Sequence, residues 1–340
     1  MLRALLIGIV VLVLGGIGAG FLLPDRARVE RSVVVARPAA TVFTVLDGFR
    51  HFQAWSPWTA LDPAMQITLE GPTNGVGARL RWTSEQESVG SGTQEIVESL
   101  PYRRVGTRMQ FSGMSVEHRA RFEFEPLEGQ GTRVVWVMEA DFGGNPIDRW
   151  FGLLLDGMVG PDFERGLARL KTHLETLPEI DFAELPVEKM QIEAMPIVYV
   201  SGRSSTDPGA IAKSYERAFR KLAEALGREG VKPSGPPLAI GRRWDAESRV
   251  YEFDAALPVP AGTPAPRTDR DIQAGKTYAG LVLKSVHRGP HDGLATHLER
   301  LMAYKQAAGF ESNGAPWDVY VANATTSGSH PVTETYVPVK

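Results

Sequence analysis

The stretch Ala4–Leu23 constrains this chain more than any other. It carries no charge and no strongly hydrogen-bonding side chain. About 20 apolar residues at a rise of ~1.5 Å just cross a hydrocarbon core of roughly 30 Å. A core helix of a soluble domain would keep polar positions on one face, and this stretch has none. The rival reading is a cleaved signal peptide, with Gly18, Ala19 and Gly20 as its small residues. The apolar run continues through Phe21, Leu22 and Leu23, past a cut there, and exceeds the usual ~7–15-residue signal core. An uncleaved single-pass anchor over residues 1–25 is therefore expected. Arg3 before the span and Arg26 and Arg28 after it, offset by Asp25, leave the positive-inside rule undecided. The simplest placement is an inner membrane, with a short cytoplasmic tail and the soluble domains on the periplasmic side.

The rest of the 340 residues leaves room for two domains of about 150 residues each. A net charge of −3 with no basic block argues against nucleic acid as a partner. The absence of cysteine excludes disulfides, thiolate nucleophiles and cysteine zinc sites.

Behind Pro24, Val29–Ala36 is β-rich, and Pro38 opens a helix carrying Val42, Phe43, Leu46, Phe49 and Phe52. Hairpin-like strands follow, punctuated by Gly71-Pro72, Asn74-Gly75 and Gly90-Ser91-Gly92. In Val116–Phe124 alternation turns Val116, His118, Ala120, Phe122 and Phe124 inward. After Asn145-Pro146, Phe151, Leu154, Leu155, Met158, Phe163, Leu167, Leu170 and Leu174 are expected to form one buried helical stripe, kinked at Gly160-Pro161. Strand, helix, antiparallel strands and a long closing helix make an α+β layout.

The run Val29-Glu30-Arg31-Ser32-Val33, the Trp55-Ser56-Pro57-Trp58 box, Asp62-Pro63 with Met65, and Gly75-Val76-Gly77-Ala78 before Trp82 resemble the SRPBCC superfamily. The resemblance points to its polyketide cyclase/dehydrase and lipid transport family and spans residues 26–177. It implies a helix-grip (START-like) fold around a deep apolar cavity that takes lipids or aromatic polyketide-like molecules, with catalysis in some members only.

Residues 178–187 are acidic and proline-punctuated and read as a linker. Beyond them an internal repeat appears. Gly235-Pro236-Pro237 and Gly314-Ala315-Pro316-Trp317 each precede a strand, at an offset of about 80 residues. The strands ending at Val259 and Val339 repeat at the same offset, and helices near Pro208–Leu226 and Gly293–Ala308 precede the two turns. His287-Arg288-Gly289-Pro290, Trp317-Asp318-Val319-Tyr320 and the closing Glu334-Thr335-Tyr336-Val337-Pro338-Val339 make residues 188–340 similar to GyrI-like small-molecule-binding (effector-binding) domains. That resemblance implies two strand-helix-strand-strand modules with a ligand cleft between them.

Glu334 shares a strand face with Tyr336, and the resemblance places an acidic group there in the cleft, suited to organic cations through charge and cation–π attraction. The competing reading is a solvated strand-face glutamate. Asp254 is its repeat counterpart; Tyr199, Trp317 and Tyr320 are candidate walls, or plain core. In the first domain His118 faces the expected cavity, as acid or base for a cyclase or as a neutral wall histidine. Trp55, Trp58 and Trp82 line the cavity mouth or fill the core. His287 and His291 have zinc-helix spacing, but Gly289-Pro290 breaks any helix between them, so no metal is expected. No cofactor is expected either, and Gly75-Val76-Gly77 lacks the Lys-Ser/Thr of a phosphate loop.

The resulting expectation is a membrane-anchored, two-domain protein that binds, sequesters or senses hydrophobic or aromatic small molecules, cations among them. The alternative is an enzyme, a cyclase using His118 or a GyrI-like hydrolase using Glu334.

Overall fold

The computed structural model describes residues 8, 12, 14–112, 117–129, 131–267, 269–322 and 331–340. Much of the expected anchor Ala4–Leu23 lies outside them. Among the described residues no helix is long and apolar enough to cross a membrane. The chain divides into two compact units, Met1–Ala183 with Ala307–Gly309, and Glu184–Gln306 with Phe310–Lys340. The division falls inside the expected linker, where Phe182 and Leu185 are buried.

The first unit is a seven-stranded antiparallel sheet. Its strands are β1 (Arg26–Val35), β2 (Gln66–Glu70), β3 (Arg79–Thr83), β4 (Gly92–Leu100), β5 (Arg104–Phe111), β6 (Glu117–Pro126) and β7 (Thr132–Asp141). Their order is β1-β7-β6-β5-β4-β3-β2, so the strands after β1 form one meander and β1 closes on its end. Three short helices, α1 (Ala39–Leu46), α2 (Phe52–Trp55) and α3 (Pro57–Leu61), fill the crossover after β1. The long helix α4 (Pro146–Leu174) packs against β1, α2 and α3. Asn145 caps it by accepting from the Ile147 amide, and Pro146 takes the first turn, where no amide donor is needed. Alternation in β6 buries Ala120, Phe122 and Phe124, as the sequence pattern requires.

One expectation about α4 is overturned. Phe163, Leu167, Leu170 and Leu174 are buried, but Phe151, Leu154 and Met158 are exposed. At about 100° per residue, the inward line of the last four runs back through Gly160, Asp156, Gly152 and Arg149. Phe151, Leu154 and Met158 therefore sit half a turn away from the core. Helix continues through Pro161.

The second unit is an eight-stranded sheet of β8 (Val187–Ile192), β9 (Pro196–Ser205), β10 (Leu238–Asp245), β11 (Val250–Pro258), β12 (Ile272–Lys276), β13 (Gly280–Arg288), β14 (Trp317–Ala322) and β15 (Val332–Pro338). Helix α5 (Pro208–Arg228) follows β9 and α6 (Leu294–Ala307) follows β13. The order β12-β9-β11-β10-β14-β15-β13-β8 sets the triplet β9-β11-β10 against β14-β15-β13. β10 and β14 pair as Leu238 with Val319, Ala239 with Asp318 and Ile240 with Trp317. Shifting by the repeat offset turns Leu238 into Trp317 and Ile240 into Val319, which maps this register onto itself. The duplication thus becomes a pseudo-two-fold axis between the central strands. Val198, Val200, Phe253, Ala255 and Leu257 face Leu222, Ala225 and Leu226 of α5. The alternating partners Ile197, Leu238, Ile240, Ala256, Val282, Trp317 and Val319 form a second cluster on the opposite face.

Candidate functional site

On that opposite face the antiparallel registers line up two cross-strand rows. One runs Tyr199, Ala256, Leu238, Val319, Glu334, Val286; the other runs Ser201, Asp254, Ile240, Trp317, Tyr336, Lys284. Directly opposed residues on neighbouring strands touch, so Trp317 and Tyr336 meet. Their rings stack with centroids 5.0 Å apart and planes within 3°. Tyr278 lies 6.3 Å from the Trp317 ring.

Glu334 stands beside this stack. Its carboxylate accepts from the Tyr336 hydroxyl at 2.7 Å and pairs with the Lys284 ammonium at 2.7 Å. The Lys284 nitrogen also lies 5.6 Å from the centre of the Tyr336 ring. Burial pushes the Glu334 carboxyl up, but the bonds from Lys284 and Tyr336 outweigh it and hold the pKa below the ordinary value. Burial, and then the adjacent carboxylate, push the Tyr336 phenol up to about 12. The group is thus a fixed Lys–Glu–Tyr triad flanking an aromatic stack. Its repeat counterpart is built alike: Asp254 accepts from Arg242 and from Ser201, both at 2.6 Å. Glu334 and Asp254 thus each carry an internal cation.

Of the residues expected to form one cleft, Glu334, Tyr336 and Trp317 come together. Tyr199 shares their face but lies four strands from Glu334, on the order of 19 Å along the sheet. Its hydroxyl donates to Gln273. Tyr320 does not belong with them. It is three residues from Trp317 on one strand, and an odd spacing sends the two side chains to opposite faces. Tyr320 sits on the helix side with Phe219 and His291, at ring distances of 5.9 Å and 5.5 Å. There Asp318 accepts from Thr335 at 2.6 Å, and the hydroxyls of Tyr215 and Tyr251 are 2.8 Å apart. Burial lifts Asp318 to about 6, with the Thr335 bond and His287 pulling the other way.

In the first unit Trp55 and Trp58 belong to one aromatic cluster between the sheet and α4. Trp136 is its centre, stacked on Phe163 at 3.9 Å and meeting Trp55 and Trp58 edge-on at 5.6 Å and 6.0 Å. The indole N–H groups of Trp55 and Trp136 and the Ser56 hydroxyl are buried with no hydrogen-bond partner among the described residues. Trp82 and His118 lie elsewhere on the sheet, at either end of a ring chain through Phe111, with centroids 5.5 Å and 5.7 Å from it. A side chain on Gly92 would meet the Trp82 ring at 2.7 Å, so glycine there makes room for the indole.

Sequence reasoning missed Lys284, the Arg242–Asp254 pair and the orphan indole donors. Alternation alone can do no more than assign Lys284 a strand face; its meeting with Glu334 comes from the pairing of β13 with β15. Among the described residues no group of His, Asp or Glu is arranged to hold a metal.

Residues 26–175 match the family model for polyketide cyclase/dehydrase and lipid transport, and residues 185–340 match that for the GyrI-like small molecule binding domain. No curated protein matches the chain. Similar solved structures include the EcmrR C-terminal domain, at 13% identity and TM-score 0.40, covering 46% of this chain and 98% of that one. A hydrolase from Listeria innocua is similar at 13% identity and TM-score 0.34, over 45% of this chain and 91% of its own. The Zhui aromatase/cyclase from a Streptomyces species is similar at 17% identity and TM-score 0.35, over 44% and 94%. The chain therefore joins a domain of the polyketide cyclase/dehydrase and lipid transport family to a GyrI-like small molecule binding domain.

Proposed function

We propose that this protein captures hydrophobic, planar aromatic small molecules, that its second unit reads them at the Trp317–Tyr336 stack, and that an N-terminal anchor holds it at the inner membrane with both units on the periplasmic side. The observation that carries the ligand reading is the stack itself, set against the Lys284–Glu334 pair. A planar ligand gains offset stacking on the partly exposed Tyr336 ring, which the buried Trp317 ring backs, and the triad supplies both a donor and an acceptor at its edge. Because Lys284 already occupies the carboxylate and lies against the Tyr336 ring, a cationic ligand must displace it. Neutral aromatic ligands have no such competitor, so the cleft favours them. In the first unit the orphan N–H donors of Trp55 and Trp136 suit a carbonyl or hydroxyl oxygen on an otherwise apolar guest, since a buried donor left unpaired costs about 1–3 kcal/mol.

The test is a fluorescence titration of a neutral planar probe against wild type and Trp317→Leu. Loss of about 1 kcal/mol, roughly fivefold in affinity, is expected on removing the stack. Unchanged affinity in Trp317→Leu, or no binding by wild type, contradicts the reading.

A further inference from the structure

The first half of α4 is amphipathic with its apolar face outward. The inward line of Arg149, Gly152, Asp156 and Gly160 turns to β1. Arg31 on that strand bonds Asp156 at 2.8 Å and Glu164 at 2.7 Å. A side chain on Gly152 would strike Phe142, and one on Gly160 the Arg31 guanidinium. The opposite line carries Ile147, Phe151, Leu154 and Met158 at helical spacing, each 59–60% exposed, with Trp150 and Leu153 beside them at 44% and 57%. Such a stripe is what a helix normally buries. A contiguous exposed patch of large apolar side chains marks an interaction surface.

What covers it is indicated by what it joins. Residues 14–20 are helical, and a side chain on Gly20 would strike Pro146 at the start of α4. The Trp150 indole donates to the Gly16 carbonyl at 3.1 Å, and Arg149 donates to the carbonyls of Phe21 and Leu23 at 3.2 Å and 3.0 Å. Phe21 and Leu22 are themselves exposed. The described end of the uncharged stretch, residues 14–23, thus meets the α4 helix that carries the stripe, and both present apolar side chains to solvent. A tryptophan and an arginine sit at the junction, the residue types that mark the headgroup level of a bilayer. An interfacial helix lies flat, with its polar face to water and its apolar face sunk into the acyl boundary. We propose that residues 147–158 of α4 form a second membrane-contacting element, lying in the phospholipid interface beside the N-terminal apolar segment. The long helix of the first unit is then held against the bilayer surface, and guests of that unit can exchange with the lipid phase.

The protein has no cysteine, so single introduced cysteines report position cleanly. The full chain carrying Leu14→Cys, Leu154→Cys or Glu128→Cys is labelled with an environment-sensitive fluorophore. Each is reconstituted in phosphatidylcholine–phosphatidylglycerol vesicles, with and without brominated acyl chains. Labels at positions 14 and 154 are expected to shift to the blue and to lose roughly half their intensity or more on brominated lipid. The label at 128, in the exposed turn after β6, is expected to do neither. Quenching at 14 with position 154 as wet as 128 overturns the proposal and leaves an anchor alone. A blue shift at 154 without quenching overturns it too, because another protein surface then covers the stripe. Absence of quenching at both 14 and 154 overturns it as well.

Discussion

Lys284 holds its ammonium group 2.7 Å from the carboxylate of Glu334, across the β13–β15 pair. The two positions are 50 residues apart, and each side chain is at most 24% exposed. A partly buried ion pair of this kind costs stability when one partner is removed, because the other stays desolvated and unpaired. Glu334→Gln is therefore expected to destabilise the second unit by about 1–3 kcal/mol. Lys284→Met combined with Glu334→Gln is expected to recover part of that loss. Denaturant unfolding of the two singles and the double checks this; strictly additive losses would show that the pair is not coupled.

His297 gives a pH signature. Burial first, then the neighbouring charges of His287 and Arg300, push its imidazole down to about 4. The unfolded chain, with a histidine pKa near ~6.5, takes up the proton first. Stability from neutral His297 is thus fully present above about pH 6.5 and is lost as the pH falls towards about 4, on the order of 1–3 kcal/mol in all. Buried Asp318, raised to about 6, contributes a slope of opposite sign over the same range, so the His297 contribution is read as a difference. In thermal unfolding between pH 7 and pH 4, wild type is expected to lose more stability than His297→Gln. An unchanged slope in the variant would assign the effect to another group.

Trp136 is 2% exposed and stacks on Phe163 at 3.9 Å. Replacing it with alanine removes the centre of the first unit's aromatic cluster. A loss of about 3–5 kcal/mol is expected, from lost transfer energy and the cavity left behind. A loss under about 1 kcal/mol would mean that the cluster repacks freely.

The boundary between Ala183 and Glu184 is tested by expression in pieces. Residues 26–183 and 184–340 each contain a complete sheet and are expected to unfold cooperatively on their own. Gradual, non-cooperative melting of either fragment would place the boundary elsewhere.

Much of this architecture is legible before any coordinates. Ala120, Phe122 and Phe124 alternate in one short run, so β6 and its buried face follow from period alone. The two glycine-proline turns recur at a fixed offset, and the pseudo-two-fold axis follows from them. The errors have physical causes. Tyr320 reads as a candidate wall alongside Tyr199 and Trp317, although three residues along a strand from Trp317 means the other face. Phe151, Leu154 and Met158 have helical spacing too, so the sequence alone extends the α4 stripe through them. Spacing does not say which of two opposed lines meets the sheet. That choice is made by Arg31, which ties Asp156 and Glu164 to β1. Lys284 was invisible because its meaning depends on long-range register.

The central feature of the proposed site is the Lys284 ammonium on the Glu334 carboxylate, where a cationic ligand would have to displace it, and one calorimetric comparison addresses this directly. A cationic planar dye and its neutral isostere are titrated into wild type and Lys284→Met. The neutral compound is expected to bind both proteins with similar affinity, by stacking on Tyr336 where Trp317 backs it. The cationic dye is expected to bind Lys284→Met at least about tenfold more tightly than wild type, a gain of roughly 1.4 kcal/mol from the freed carboxylate and ring. Equal cation affinity for the two proteins, or tighter binding of the cation than of the neutral compound by wild type, would contradict the account.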